Sequence, residues 1–266
     1  MAQSAHVREA IATARVARHE LGLGLDQPVH DLLLIVEETA DVPVAILLLG
    51  KGVAGAYIVR RDQAFIFLNG SEAVTRQRFT LAHELGHHRL GHRAVVDGTE
   101  TVEGRTTDPV EQQANAFAGE FLAPEQAVRN WMDAHDHPLI DLAVLVRIAA
   151  WFGISAPAAY VRLVEAEVLQ RPTQRRQLKR QLDQGQHRGA EKMLGLAPVE
   201  DQLAQVQRAG GLPRLPVRLR DNALAAYAGG LIDIDRLALA LRRDRATVER
   251  VVAELGLIPA GPEPDW

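Results

Sequence analysis

Two histidines four residues apart, with a glutamate directly after the first, stand in the stretch His83-Glu84-Leu85-Gly86-His87. On a helix, positions four apart lie about 40° apart around the axis, so His83 and His87 share a face and can grip one zinc ion. Glu84 sits beside that face and is placed to act as a base on a water held by the metal. The chemistry implied is hydrolysis by an activated water. The competing reading is a buried helix whose histidines are hydrogen-bonded core residues; the helical context of the stretch favours the metal. Phe79, Gly86 and Leu90 fall on the side of the two histidines and turn it inward. His88 projects about 100° from His87, and Gly91 ends the helix before His92. Both are therefore expected at the surface or as supports behind the ligands.

A third ligand must come from elsewhere, and the chain has no cysteine to supply it. The stretch from Asp108 to Pro124 reads as a helix with Asp108 as N-cap, Pro109 at the first turn and an apolar stripe of Val110, Ala114, Phe117 and Phe121. Glu111 lies on one edge of that stripe, 24 residues after His87. Two histidines and a glutamate with water in the fourth position form a known catalytic zinc set. With Asp108 as cap, however, Glu111 is also placed to close a capping box. Spacing leaves both readings open. Glu120, the rival carboxylate, lies on the opposite edge. No thiol nucleophile, Gly-x-Ser-x-Gly elbow or glycine-rich phosphate loop stands out, which leaves activated water as the chemistry.

These residues need elements to hold them. Residues 4–21 and 30–40 read as helices, and three apolar runs at 44–49, 56–60 and 64–68, separated by turns, read as a small antiparallel sheet. Asn69-Gly70-Ser71 then offers a turn and a capping Ser71 for the motif helix over 72–90. Residues 93–108 read as a loop. Helix follows over 125–170, where Leu142 to Leu163 has a helix–turn–helix cadence with Gly153 at the turn and Ser155 as cap. Its acidic setting favours a packing element that lines the cleft over a DNA reader. The fold class expected is α+β, a compact metallopeptidase domain followed by a smaller helical one.

The stretch Arg78-Phe79-Thr80-Leu81-Ala82-His83-Glu84-Leu85-Gly86-His87-His88 is followed by Glu111-Gln112-Gln113-Ala114-Asn115-Ala116-Phe117-Ala118 and then by Phe121-Leu122-Ala123-Pro124. In combination these resemble the ImmA/IrrE metallopeptidases, over roughly residues 1–165. The resemblance implies a gluzincin-like site with Glu111 as the third zinc ligand. It also implies, as substrate, a partner repressor protein of the helix–turn–helix kind. Gly119 stands where that family's second helix has its usual small residue, and residues 93–107 carry no motif that matches; neither touches the metal set.

The chain has 266 residues, 47% hydrophobic and 24% charged, with a net charge of −4, ordinary globular values that suggest no polyanion partner for the whole. Residues 1–170 hold 14 basic and 22 acidic side chains, whereas residues 171–266 hold 16 and 12. This switch suggests two units with different jobs, 1–170 the metallopeptidase domain and 171–266 a basic helix, a linker and a terminal helical domain. The second unit closes on another helix–turn–helix cadence, Ile234 to Leu241 and Arg245 to Leu255, where Arg242, Arg243, Arg245 and Arg250 could meet phosphates. Weak nucleic-acid contact through 171–266 is thus a secondary expectation, and the alternative function is a DNA-binding regulator whose peptidase-like domain no longer cuts. An intact Glu84 argues against that loss. Without an apolar signal core or a long apolar run, the chain is expected in the cytoplasm and off the membrane. Tyr57, His88, His92 and Tyr160 are the candidates to stabilise a tetrahedral oxyanion.

Overall fold

In the computed structural model, residues 4–93, 95–98, 106–135, 139–196, 203 and 213–258 are described. The chain is α+β, as its pattern of elements indicates. Helix α1 (Ala5–Glu20) buries Ala10, Ala14 and Ala17 against α4 (Pro109–Leu122). Small side chains at helical spacing let the two axes approach closely. Arg18, wholly buried, ties α1 to its surroundings by donating to the carbonyls of Gly24, Gln27 and Phe121. Burial lowers its pKa to about 10, partly opposed by Glu120 and Asp26, so it remains cationic at neutral pH.

The helix expected over 30–40 is shorter and wider. A single turn, α2 (Leu32–Leu34), runs into a π-helical turn over Ile35–Thr39. Ala40 N–H reaches back to Ile35 O and Val42 N–H to Val36 O. The widened turn directs Glu37 to the start of β1 (Val44–Leu47), where it accepts from Val44 N.

The sheet is mixed rather than antiparallel. Its order is β1, β3 (Gln63–Asn69), β2 (Val53–Arg60), β4 (Val95–Gly98), with β1 parallel to β3 and the other pairs antiparallel. The segment from Leu48 to Gly52 does not close a hairpin, because β3 inserts between the strands it joins. Asn69, at the end of β3, pins that connection by accepting from Leu49 N at 3.3 Å and donating to Val53 O at 2.8 Å. Part of the expected 93–108 loop is a strand, β4, whose backbone pairs with β2; residues 94 and 99–105 lie outside the described residues.

The motif helix is α3 (Val74–Arg89), and its N-cap is Ala73, not Ser71. Asn69 Oδ1 claims both the amide and the hydroxyl of Ser71, at 3.1 and 2.8 Å. Arg78, fully buried on α3, fixes its position by donating to Val29 O and Gly153 O. After α4 come α5 (Glu125–His135), α6 (Leu142–Phe152) and α7 (Ala156–Glu165). Gly153 turns between α6 and α7 at φ +64°, and Ser155 caps α7 by accepting from Ala158 N. Ile148, Phe152 and Leu163 of this bent pair are buried in the main core. Among the described residues no single helix is long and apolar enough to cross a membrane.

The main core continues through Leu178 and Leu182 of α8 (Pro172–Asp183) and Ala190 of α9 (Gln186–Met193). A separate small core, built on Tyr227, Leu237, Val248 and Val252, joins α10 (Val217–Ala228), α11 (Ile234–Leu241) and α12 (Arg245–Glu254). Arg214 fastens this module to the sheet edge. Its backbone pairs with Ile46 in both directions, at 2.8 and 2.9 Å, and its guanidinium holds both oxygens of Glu37 and the Val44 carbonyl. Arg214→Ala leaves the Glu37 carboxylate, 6% exposed, without its cation. The expected cost is about 3–5 kcal/mol, as for other broken buried pairs, with faster proteolysis ahead of α10. Denaturant unfolding and timed digestion check this; an unchanged midpoint and digestion rate would show that the module is held by other contacts.

Candidate metal centre

His83 and His87 occupy successive turns of α3, and Glu111 the first turn of α4. The two helices meet at Gly86, where an added Cβ would lie 3.1 Å from the ring of Phe117. That approach is open to glycine without displacement of the ring. It brings the three side chains into one buried cluster whose donor atoms all lie within 4.8 Å of one another, a group that could hold a metal ion. His83 Nε2 and His87 Nε2 are 3.1 Å apart, and Glu111 Oε2 lies 3.2 and 3.6 Å from them. A tetrahedral zinc centre with bonds of about 2.0 to 2.1 Å has ligand–ligand edges of about 3.3 Å. The donor set therefore fits zinc both in chemical type and in spacing.

The ring nitrogens turned away from the cluster have partners that fix the tautomers. Asn115, one turn beyond Glu111 on α4, accepts from His83 Nδ1 at 3.1 Å, which leaves Nε2 as the lone-pair donor. His87 Nδ1 lies 2.9 Å from His92 Nδ1. For His87 Nε2 to ligate, His87 Nδ1 must carry the proton and His92 accept it. Burial, and then the neighbouring His87, lower the His92 pKa, which suits a neutral acceptor. Gly91, at φ +68°, makes the turn that brings His92 back. So His92 supports the cluster from behind, while His88 faces Tyr57. Burial raises the pKa of the Tyr57 phenol, and burial together with Arg89 lowers that of His88. Tyr57 Oη therefore donates to His88 Nδ1, at 3.1 Å, and its ring stacks beside His87.

The capping-box place open to Glu111 is filled by a neighbour. Asp108 caps α4 by accepting from Val110 N at 2.9 Å, but its own amide donates to Thr106 Oγ1 at 3.1 Å. The place a capping-box glutamate would fill is taken, and Glu111 turns to the histidines. Burial raises its pKa, but hydrogen bonds from His83 and His87, made when their Nε2 atoms carry a proton and no metal is held, outweigh that and hold the carboxyl well below the usual carboxylate range. Glu120 is spent on structure: it pairs with Arg15 and Arg162 and accepts from Glu125 N.

Glu84 is wholly buried and leans on β2. A Cβ at Gly55 would lie 2.6 Å from Glu84 Oε1, 2.5 Å from Thr80 Cγ2 and 2.9 Å from Phe67 O. Gly55 thus makes the space in which Glu84 sits, a role the sequence reading missed. A glycine inside the apolar run Ala54-Gly55-Ala56 was the available signal, since such a glycine often marks close approach. Asn115 was also missed as a support for His83. Of the four oxyanion candidates, Tyr57 and His92 lie beside His87 and His88 lies against Tyr57, whereas the Tyr160 hydroxyl faces Arg175 O at 3.4 Å.

Residues 37–164, just under half of the chain, match the family model described as the IrrE N-terminal-like domain, Peptidase_M78. A Bacillus phage phi105 protein described as "Uncharacterized immunity region protein 2" is 31% identical over 101 residues, 37% of this chain and 61% of that relative. The chain thus spans less than two thirds of the length of the relative it matches.

Proposed function

We propose that this chain, whose residues 37–164 match the model of the IrrE N-terminal-like domain, is a zinc-dependent endopeptidase acting inside the cell on a regulatory protein. The observation that carries the reading is the buried convergence of His83, His87 and Glu111 at the edge lengths of a zinc tetrahedron. Zinc bound there supplies a Lewis acid that polarises the scissile carbonyl and acidifies water. Glu84, one residue beyond the first ligand and outside the ligand set, takes the proton of the attacking water and passes it to the leaving nitrogen. Asn115 and His92 hold the two imidazoles in the required tautomers.

The substrate proposed is a helix–turn–helix transcriptional repressor, cut at one or a few bonds in a linker or at a frayed helix end, where the backbone can enter a cleft. Its support is the family resemblance and the phage relative, which is described as an immunity region protein. Residues 171–266 are proposed to recruit or position the partner. They are less suited to grip DNA than their arginines suggest. Arg245 is paired with Asp235 and Glu249, and Arg243 donates to Pro213 O. The test is incubation of the zinc-loaded protein with repressors encoded beside its gene, read by mass spectrometry. Discrete cleavage of one repressor is expected. Intact repressors throughout, together with tight, salt-sensitive binding of duplex DNA, would favour the non-cutting regulator instead.

A further inference from the structure

Alternation along β1 and β3 sends Val44, Ile46, Ile66 and Leu68 into the core. Ala45, Leu47, Phe65 and Phe67 therefore lie on the opposite face, where both phenylalanines are half-buried. A strand pair apolar on both faces needs cover on both. The α10–α12 module supplies only part of it. Between the sheet and the module, a groove of about 480 Å³ remains, bounded on the module side by Leu215, Leu219 and Ala240. That volume and its mainly apolar wall are those of small-molecule sites.

The polar groups of the wall are Gln63, Asn222, Arg218 and Arg242, with no carboxylate among them. Arg218 is already paired with Asp41 at 2.9 Å. Arg242 has no ion pair among the described residues, and it ends α11 at φ +51°, in the left-handed region. Glycine or asparagine would occupy that position with less strain. A strained arginine beside an acid-free apolar groove points to an anionic ligand.

We propose that this groove binds a small amphipathic carboxylate, its apolar body against Phe65, Phe67 and Leu219 and its carboxylate on the Arg242 guanidinium. Its two walls belong to the sheet and to the module, so the bound molecule clamps them together and adds to the Arg214 anchor. The site lies on the face of the sheet away from Gly55 and Tyr57, which pair with Leu68 and Ile66 on the core face. It is separate from the metal cluster, and its test reads binding rather than cleavage.

Full-length protein is titrated calorimetrically with naphthoate and with dodecanoate, each against its neutral amide. One-to-one binding of at least one acid is expected, with the amide weaker by about tenfold or more for want of the charge-assisted bond. Arg242→Gly is expected to raise the thermal midpoint by relieving the positive φ, yet to weaken the acid by about tenfold or more. Ala240→Trp, which fills the groove from the module side, is expected to block the acid while a native circular dichroism spectrum shows the fold intact. Equal binding of acid and amide, binding that survives both substitutions, or no binding of either acid up to about 1 mM would each overturn the proposal.

Discussion

Glu84→Gln is expected to slow peptide hydrolysis by at least about a hundredfold, the lower range for loss of a general base, while zinc content stays at the wild-type level. The substitution keeps the volume and shape of the side chain and removes only its basicity. It therefore fits the space that Gly55 leaves against β2. It leaves the three donors of the metal cluster untouched, since Glu84 is not among them. A single-turnover assay on a cleaved repressor or a generic unfolded substrate measures the rate, and elemental analysis measures the metal. Equal rates for the two proteins would remove Glu84 from the chemistry, and loss of zinc would make it part of the metal site instead. Gly55→Ala is a useful companion, because it keeps the carboxylate but adds a Cβ that meets Glu84 Oε1, Thr80 Cγ2 and the Phe67 carbonyl. Its expected effect is lower activity with the base present, and lower stability from overpacking, typically about 1–3 kcal/mol.

The helices that carry the candidate site were legible because their signals are local. Two histidines at helical spacing, a proline just inside α4 and an aspartate before it are signals within a few residues, and α3 and α4 start within two residues of where those signals put them. What could not be read was set at a distance. The parallel pairing of β1 with β3 depends on where the Leu48–Gly52 connection is pinned, and Asn69 does that from 20 residues away. The partner that takes the Asp108 amide in place of Glu111 is Thr106, a residue in a stretch that reads only as loop. Ser71 has the right type for a cap and the right place, yet Asn69 engages it first. The anchoring of the last three helices rests on a pair 177 residues apart, Glu37 and Arg214. Neither residue belongs to a pattern that composition or periodicity reports. The second helix–turn–helix cadence was read at nearly its observed bounds, but the pairing of Arg245 with Asp235 across the turn was not, and it bears directly on phosphate contact.

Glu111→Ala is expected to weaken zinc binding by more than about a hundredfold, beyond the range for loss of a supporting residue such as Asn115. The carboxylate is the only anionic donor of the cluster, and without it two neutral imidazoles remain, too few for a closed site. The pH dependence separates the roles. A group whose folded pKa is depressed contributes stability above its unfolded value and loses that contribution only as the pH falls through the folded one. The Glu111 pKa is held well below the usual carboxylate range, so the carboxylate stays ionised from pH 7 down past pH 5 and cannot account for metal loss in that window. A free imidazole takes up its proton near about pH 6.5, and a protonated ring cannot ligate. Wild-type zinc occupancy at limiting metal should therefore fall as the pH drops below about 6, as protons compete with zinc for imidazole ligands, whereas Glu111→Ala should bind weakly at every pH. Competition against a chromophoric chelator across this range measures both curves. Full zinc retention in Glu111→Ala would return the residue to the capping role and leave Thr106 as a rival for the same amide.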